Sequence, residues 1–232
     1  MIHGYDYKFI KAPVYSDRHV TWSKVPMITK ALKSYEIVVF LDQDAMFHYP
    51  ALPIEWLMNY WNHTLETRLM LAEDADRDKN KDDSGTLYHN TGFIIARNSP
   101  RTFEIMDAWE ECPRETKYFG CSRLAYQWPH EQAALGAFVS KLDFNEAEDI
   151  RGIPCSEANG SPMTYATEGC NGTFVRHFWM DGKSHPPAEL ADNILRYAVP
   201  MLHRAYLSDV EHFLEDFSNF SLPGNSSFTI SS

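Results

Sequence analysis

Short apolar runs alternate along this chain with stretches whose apolar residues recur every three to four positions. The first pattern marks strands and the second marks helices. Residues 5–11, "YDYKFIK", alternate and are rich in aromatic residues, which predicts a strand. "SDRHVTW" reads as a polar connection. In "SKVPMITKALKSY" Ser23 is placed to cap a helix whose one face carries Val25, Ile28, Ala31 and Leu32. "EIVVFLD" follows, an uninterrupted apolar run of the kind found in central parallel strands covered on both faces. Strand, helix and strand in that order make a βαβ unit.

The alternation continues. "IEWLMNYWNHTL" reads as a helix, with Trp56, Tyr60 and Trp61 at core spacing, and "RLMLAED" as a strand. "DADRDKNKDDSG", residues 74–85, is strongly charged and predicts a mobile, solvated loop. "LYHNTGFIIAR" is a strand, and "SPRTFEIMDAWEEC" a helix with Ser99 as N-cap and Pro100 at its first position. "PHEQAALGAFVSKL" is helical, residues 151–185 look irregular and pinned by cysteines, and Pro200 should kink a last helix. The tail from about Ser218 is low in complexity and predicts disorder. The class is therefore α/β with a mostly parallel sheet, where ligands bind beyond the carboxyl ends of the strands. Residues 1–207 form the expected main domain and 208–232 a helix remnant with a tail.

Composition narrows the partners. A net charge of −11 makes nucleic acid an unlikely main ligand by charge alone, although a local lysine or a metal can still bind a nucleotide. No apolar leader follows Met1, and no run approaches the roughly 18 residues of a membrane span. Against a cytosolic reading stand the sequons at Asn62, Asn159, Asn171, Asn219 and Asn225, the second weakened by Pro162. The four cysteines fall as two close pairs, and the expected bridges are Cys112–Cys121 and Cys155–Cys170. The expectation is a secretory-pathway protein that has lost its own N-terminus.

"VVFLDQDAMF", residues 38–47, carries the chemistry. An apolar strand runs into Asp42 and Asp44, and two carboxylates that close repel each other and resist burial. A metal ion, a lysine or arginine partner, or open solvent would each relieve them. Strand alternation points both the same way while Gln43 points away. Two converging oxygen ligands suit a hard cation, magnesium or manganese, which can also grip a diphosphate. Asp74, Asp76 and Asp78 begin like an EF-hand loop, but Lys79 and Gly85 stand where its glycine and glutamate belong.

His3-Gly4-Tyr5, Trp22-Ser23-Lys24 and its helix, "VVFLDQDAMF", "HNTGFIIAR" and "WPHEQAAL" together resemble the GT-A glycosyltransferases in order and spacing. The likeness is to glycosyltransferase family 34, the fungal and plant galactosyl-, mannosyl- and xylosyltransferases of the Golgi, from about residue 3 to about residue 183. It implies a GT-A fold and a Mn2+ (or Mg2+) ion on Asp42, Asp44 and His177, with His185 as second choice. It further implies a UDP- or GDP-hexose donor and a glycan acceptor. Trp22 and Lys24 would wall the donor pocket, with Lys24 and Lys183 near the phosphates and Gln43 beside the donor. Asn90, Thr91 and Gly92 would border the sugar, and Glu131 and Gln132 would face the reaction centre. Trp128 and Trp179 are candidates for stacking on a sugar.

The resemblance further implies a retaining hexosyltransferase of protein or cell-wall glycosylation, held to Golgi membranes only through an anchor this chain does not carry. The family pattern normally starts with a strand and helix ahead of His3, so the expectation is a truncated domain. Two alternatives come from other classes. One is an inactive partner or scaffold subunit; the other is a metal-dependent phosphatase with Asp42 as nucleophile.

Overall fold

The computed structural model describes residues 3–144, 148–162 and 169–214. The chain divides into two compact units, Met1–Ala191 and Asp192–Ser232.

The first unit is built on a four-stranded sheet of β1 (Ile37–Leu41), β3 (Leu69–Glu73), β4 (His89–Arg97) and β5 (Ile150–Ile153), in the order β1-β4-β3-β5. Strands β1, β3 and β5 run one way and β4 runs against them, so the α/β class stands while only the β3–β5 pairing is parallel. Side chains alternate across the sheet and feed two separate cores. Val38, Phe40, Leu69, Leu71, Ile94, Ala96 and Ile150 pack one face under α1 (Lys24–Leu32), α3 (Pro100–Glu111) and α4 (Glu131–Ala134). Val39, Leu41, Met70, Ala72, Phe93, Ile95 and Ile153 face the other way, towards α2 (Ile54–Tyr60) and Trp61. Burial on both faces is why these runs read as continuously apolar.

A second, two-stranded ribbon pairs β2 (Ala45–Phe47) with β6 (Val175–His177). It is braced to the helix Pro186–Asn193 by buried side chains. His48 Nδ1 lies 2.5 Å from Glu189 Oε1, and Arg176 binds both Glu189 and, at 3.2 Å, His48 Nε2. The arginine occupies Nε2 as a donor, so His48 carries its proton on Nδ1 and donates it to the carboxylate.

Several sequence expectations hold. Ser99 accepts a hydrogen bond from the Thr102 amide, with Pro100 at the first helical position. Cys112–Cys121 and Cys155–Cys170 are both bridged. The α4 helix continues through a π-helical stretch, Leu135–Ser140.

Others do not. Residues 5–11 form no strand: Tyr7 and Phe9 are three-quarters exposed or more, and no strand pairs with them, so the βαβ unit is absent. Alternation alone did not supply the hydrogen-bonding neighbour that a strand needs. Ser23 stands at the N-cap position of α1 but makes no side-chain capping bond; a 3-10 turn, Val20–Ser23, precedes the helix, and His19 caps that turn by accepting from the Thr21 amide. Helix α2 stops at Tyr60, and Asn62 turns left-handed at φ 55°. Trp61 is buried as expected, but Trp56 and Tyr60 are stacked on each other at the surface. The 74–88 connection is internally bonded rather than loose. Asn80 donates to the Ala75 carbonyl, Tyr88 donates to that of Asn80, and Asp82 accepts from the Ser84 and Thr86 amides.

In the second unit a π-helical stretch, Ile194–Ala198, leads into the helix Val199–Ser208, which has Pro200 in its first turn. Widening the ladder ahead of the proline accommodates the ring and the missing N–H without a break. The tail from Ser218, with Asn219 and Asn225, lies outside the described residues. Among the described residues no helix is long and apolar enough to cross a membrane.

His63 reports on this packing. Burial, reinforced by the nearby Arg97 charge, lowers its pKa from 6.5 to about 4. The folded chain therefore holds it neutral where the unfolded chain protonates it. Its contribution is complete above pH 6.5 and is lost as the pH falls from there towards 4. Urea denaturation across that range should show a shallower loss of stability in His63→Gln than in the wild type; equal slopes would assign the loss to other groups.

Candidate donor and metal site

The site lies where β1 ends. The Asp42 amide still pairs with the Gly92 carbonyl at 2.8 Å, and the chain then turns, with the Ala45 amide donating to the Asp42 carbonyl at 2.9 Å. Asp42 and Asp44 thus converge through a tight turn and not through strand alternation, and Gln43 is left exposed. β2 starts at Ala45, whose register partner on β6 is His177. The ribbon therefore delivers a histidine from far along the chain directly beside Asp44. His177 Nε2 is 3.2 Å from Asp44 Oδ1 and 3.9 Å from Asp42 Oδ2.

Asp42, Asp44 and His177 offer ligand atoms that all lie within 4.8 Å of one another, the one such cluster among the described residues. Asp74 and Asp76 point elsewhere, to Gln132 and Lys81, so the EF-hand likeness forms no site. His185 stands outside the cluster.

The imidazole is set for a metal. Its Nδ1 lies 3.3 Å from Asn159 Oδ1, an acceptor that holds a proton on Nδ1, so Nε2, which hydrogen-bonds Asp44 when protonated, is the nitrogen that can turn to a metal. Asn159 is fully buried, donates its own amide to the Glu73 carbonyl at 3.1 Å and accepts from Trp179 Nε1 at 3.1 Å. Read from the sequence as a glycosylation acceptor, it is instead an internal strut, because a buried amide engaged on all sides has no room for a glycan. Asn62 and Asn171 are exposed. Trp179 is tied by its indole to the same strut, and Trp128 is half exposed elsewhere.

Each aspartate has its own positive neighbour. Burial pushes the Asp44 carboxyl up, but the hydrogen bond and charge of His177, with Lys183 beyond, bring it below its usual range. Lys183 Nζ, largely exposed, stands 3.8 Å from Asp44 Oδ2, free to turn towards an anionic ligand. Asp42 is met by Lys24, only 4% exposed, whose Nζ lies 3.1 Å from both Asp42 oxygens and 3.1 Å from Glu131 Oε1. The same ammonium donates to the Thr91 carbonyl and hydroxyl at 3.2 and 3.3 Å. Burial alone would discharge Lys24 and Glu131. Their mutual attraction, with Asp42, outweighs it and holds both ionised, the lysine pKa raised and the glutamate pKa lowered.

The residues expected around the donor are placed as follows. Lys24 is committed to protein oxygens and presents no free N–H to a phosphate. Trp22 is 1% exposed, its indole bonded to the Leu124 carbonyl, and belongs to the core rather than to a pocket wall. Glu131 is 3% exposed, meets Lys24 at 3.1 Å and accepts from the Thr91 hydroxyl at 2.9 Å. Gln132 binds the Thr91 amide and, at 2.5 Å, Asp74 Oδ2.

Thr91 and Gly92 reach the site because the β3–β4 register slips between Leu71 and Ala72, a bulge that re-aims β4. Asn90 Oδ1 accepts from the Gly92 amide. A Cβ on Gly92 would come within 2.1 Å of His177 Cε1, so glycine here is what lets the imidazole pack flat against the strand.

The galactosyl transferase GMA12/MNN10 family pattern matches residues 1–144, more than half of the chain. The chain belongs to that family. Among its relatives is xyloglucan 6-xylosyltransferase 1 of Arabidopsis thaliana, 27% identical over 119 residues, 47% of this chain and 23% of that protein. The chain thus spans under a quarter of that relative's length. A solved glycosyltransferase involved in glycosylation of the major capsid of PBCV-1 superposes with a TM-score of 0.56 at 16% identity, covering 79% of this chain and 82% of its own. The shared fold is the expected GT-A type of α/β architecture, and in this family member the two aspartates sit at its first described strand end.

Two outcomes test the geometry. Lys24→Met leaves Glu131 charged and buried without its partner and should cost about 3–5 kcal/mol in urea denaturation. The double variant Lys24→Met/Glu131→Gln should recover most of that loss; simple additivity would deny the coupling. Gly92→Ala should destabilise by roughly 1–3 kcal/mol and abolish Mn2+ binding measured by titration calorimetry, because His177 must move.

Proposed function

We propose that this chain is the catalytic core of a metal-dependent glycosyltransferase that moves a hexose from a nucleotide-diphosphate donor to a glycan acceptor. The observation that carries this reading is the convergence of Asp42, Asp44 and His177, held through Nδ1 by Asn159, at the end of β1. Two carboxylates and one imidazole suit Mn2+, with Mg2+ as the harder alternative. A bound divalent ion supplies Lewis acidity to the diphosphate as it departs.

The residues around it have distinct tasks. Lys24 and Glu131 fix Asp42 in its rotamer, and Asn159 fixes His177. Lys183 is placed to swing from Asp44 onto the diphosphate and take up charge that develops there. Asn90, Thr91 and Gly92 wall the sugar side, with Gln132 behind the Thr91 amide. Both residues first expected to act on the sugar touch that wall, Glu131 accepting from the Thr91 hydroxyl at 2.9 Å and Gln132 from its amide at 3.4 Å. Retention of anomeric configuration, a UDP or GDP base and a role in protein or cell-wall glycosylation belong to the same reading. Its support is the family membership. The two disulfides and the exposed Asn62 and Asn171 fit a chain that works in the secretory pathway, such as the Golgi lumen.

Titration calorimetry of UDP and GDP with and without Mn2+ tests this directly. Binding should require the metal and fall at least about tenfold in Asp42→Asn, Asp44→Asn and His177→Ala, each checked for folding by circular dichroism. Metal-independent nucleotide binding, or none by a folded wild-type chain, would overturn the donor site.

A further inference from the structure

The 74–88 connection begins and ends at the reaction wall. Asp74 is bonded to Gln132, and its amide donates to the Tyr88 carbonyl at 3.0 Å. Tyr88 in turn packs on Gly136, where a Cβ would meet its ring at 2.6 Å. Between this connection and the segment 123–141 lies a cavity of about 360 Å³. That size falls at the lower end of ligand sites, which run from roughly 300 to 1,000 Å³. Pro129 and Ala133 in its wall flank Glu131 and Gln132 along the chain, and Tyr88, also in the wall, is tied to Gln132 through Asp74.

Its chemistry is unlike that of the chain as a whole. In a protein of net charge −11, this cavity is lined by Lys79, Lys81, Arg123 and Lys141 against Asp82 and Asp83. Lys141 is paired with Asp82 at 2.5 Å, and Lys81 with Asp76, also at 2.5 Å. Among the described residues Lys79 and Arg123 pair with no carboxylate. Lys79 Nζ sits 5.2 Å from the centroid of Trp128, whose indole is 52% exposed. Lys79 stands over one face of the half-exposed indole and Arg123 lines the same cavity, a setting that matches a sugar ring carrying a negative group: the indole packs against its C–H groups and the cations take the anion.

We infer that this cavity is an acceptor subsite for an acidic sugar, one bearing a carboxylate or a phosphate. Arg123 and Lys79 hold the anionic group, Trp128 carries the ring, and Asp83 accepts from sugar hydroxyls. The inference rests on the glycosyltransferase reading above and names the acceptor's chemical class.

Titration calorimetry of the whole chain with a hexuronic acid, a hexose phosphate, the parent hexose and inorganic phosphate separates the possibilities. Nucleotide with Mn2+ is titrated in parallel. The acidic sugars should bind at least about tenfold more tightly than the neutral hexose, and their order identifies the anion. Arg123→Gln and Lys79→Gln should each weaken acidic-sugar binding by roughly tenfold and leave the nucleotide titration unchanged. Trp128→Leu should weaken every sugar and spare inorganic phosphate. Equal binding of the neutral hexose, indifference to Arg123→Gln, or absence of sugar binding in a chain that binds nucleotide would overturn the inference alone. So would inorganic phosphate binding as tightly as the hexose phosphate, which would leave an adventitious anion site. Sugar binding without any nucleotide binding would count against the donor site instead.

Discussion

A buried ammonium group holds the functional end of this molecule together. Lys24 leaves α1, passes under the sheet's edge and places its charge among Asp42, Glu131 and both oxygens of Thr91. Four parts of the chain thereby meet on one nitrogen: the first helix, the turn after β1, the start of β4 and the first residue of α4. Taking an ammonium and a carboxylate out of water costs several kcal/mol for each ion, which these bonds must offset. Such an arrangement stabilises little in net terms, but it admits few alternatives. What it specifies is the position of Asp42, and so the direction from which a cation can be approached.

The two aspartates therefore do not share one remedy for their repulsion. Asp42 is balanced from inside by Lys24, and Asp44 from the ribbon by His177 and from solvent by Lys183. The site can thus stay ordered before any ligand arrives. The two strands of support come from distant parts of the sequence: α4 through Lys24 on one flank, and Asn159 with the β2–β6 ribbon on the other. The His48–Arg176–Glu189 brace ties that ribbon to the helix Pro186–Asn193, so the residue next to His177 is itself anchored.

Much of this was legible in the residues. The apolar runs found three of the four sheet strands, β1, β3 and β4, because a sheet covered on both faces demands unbroken hydrophobicity; β5, with Arg151 and Gly152 inside four residues, falls in a stretch that reads as irregular. Asp42 and Asp44 stood out since carboxylates after such a run need a partner, and His177 followed from its place in the family pattern. The losses are equally instructive. "YDYKFIK" has strand composition without a strand neighbour, and composition cannot report pairing. Lys24 and Glu131 read as groups of the donor pocket and the reaction centre, because nothing local marks an ion pair between residues a hundred positions apart. Asn159 was hidden by its own signal: the Asn-Gly-Ser triplet read as a surface acceptor, and only the fold shows the amide bonded to Glu73, Trp179 and His177. The charged 74–85 stretch seemed too polar to be ordered, yet its aspartates and Asn80 satisfy the connection's own amides and carbonyls.

The buried position of Asn159 bears on how such a chain can be made. Glycan attachment acts on extended polypeptide before it closes, and Asn159-Gly-Ser is a formal target until the strut is in place. A sugar added there would leave Glu73, Trp179 and His177 without their shared partner and would keep the Cys155–Cys170 region from closing around it. In a secretory compartment, folding of this segment and modification of it are mutually exclusive fates. Pro162, directly after the triplet, stands where it tips that competition towards the folded protein.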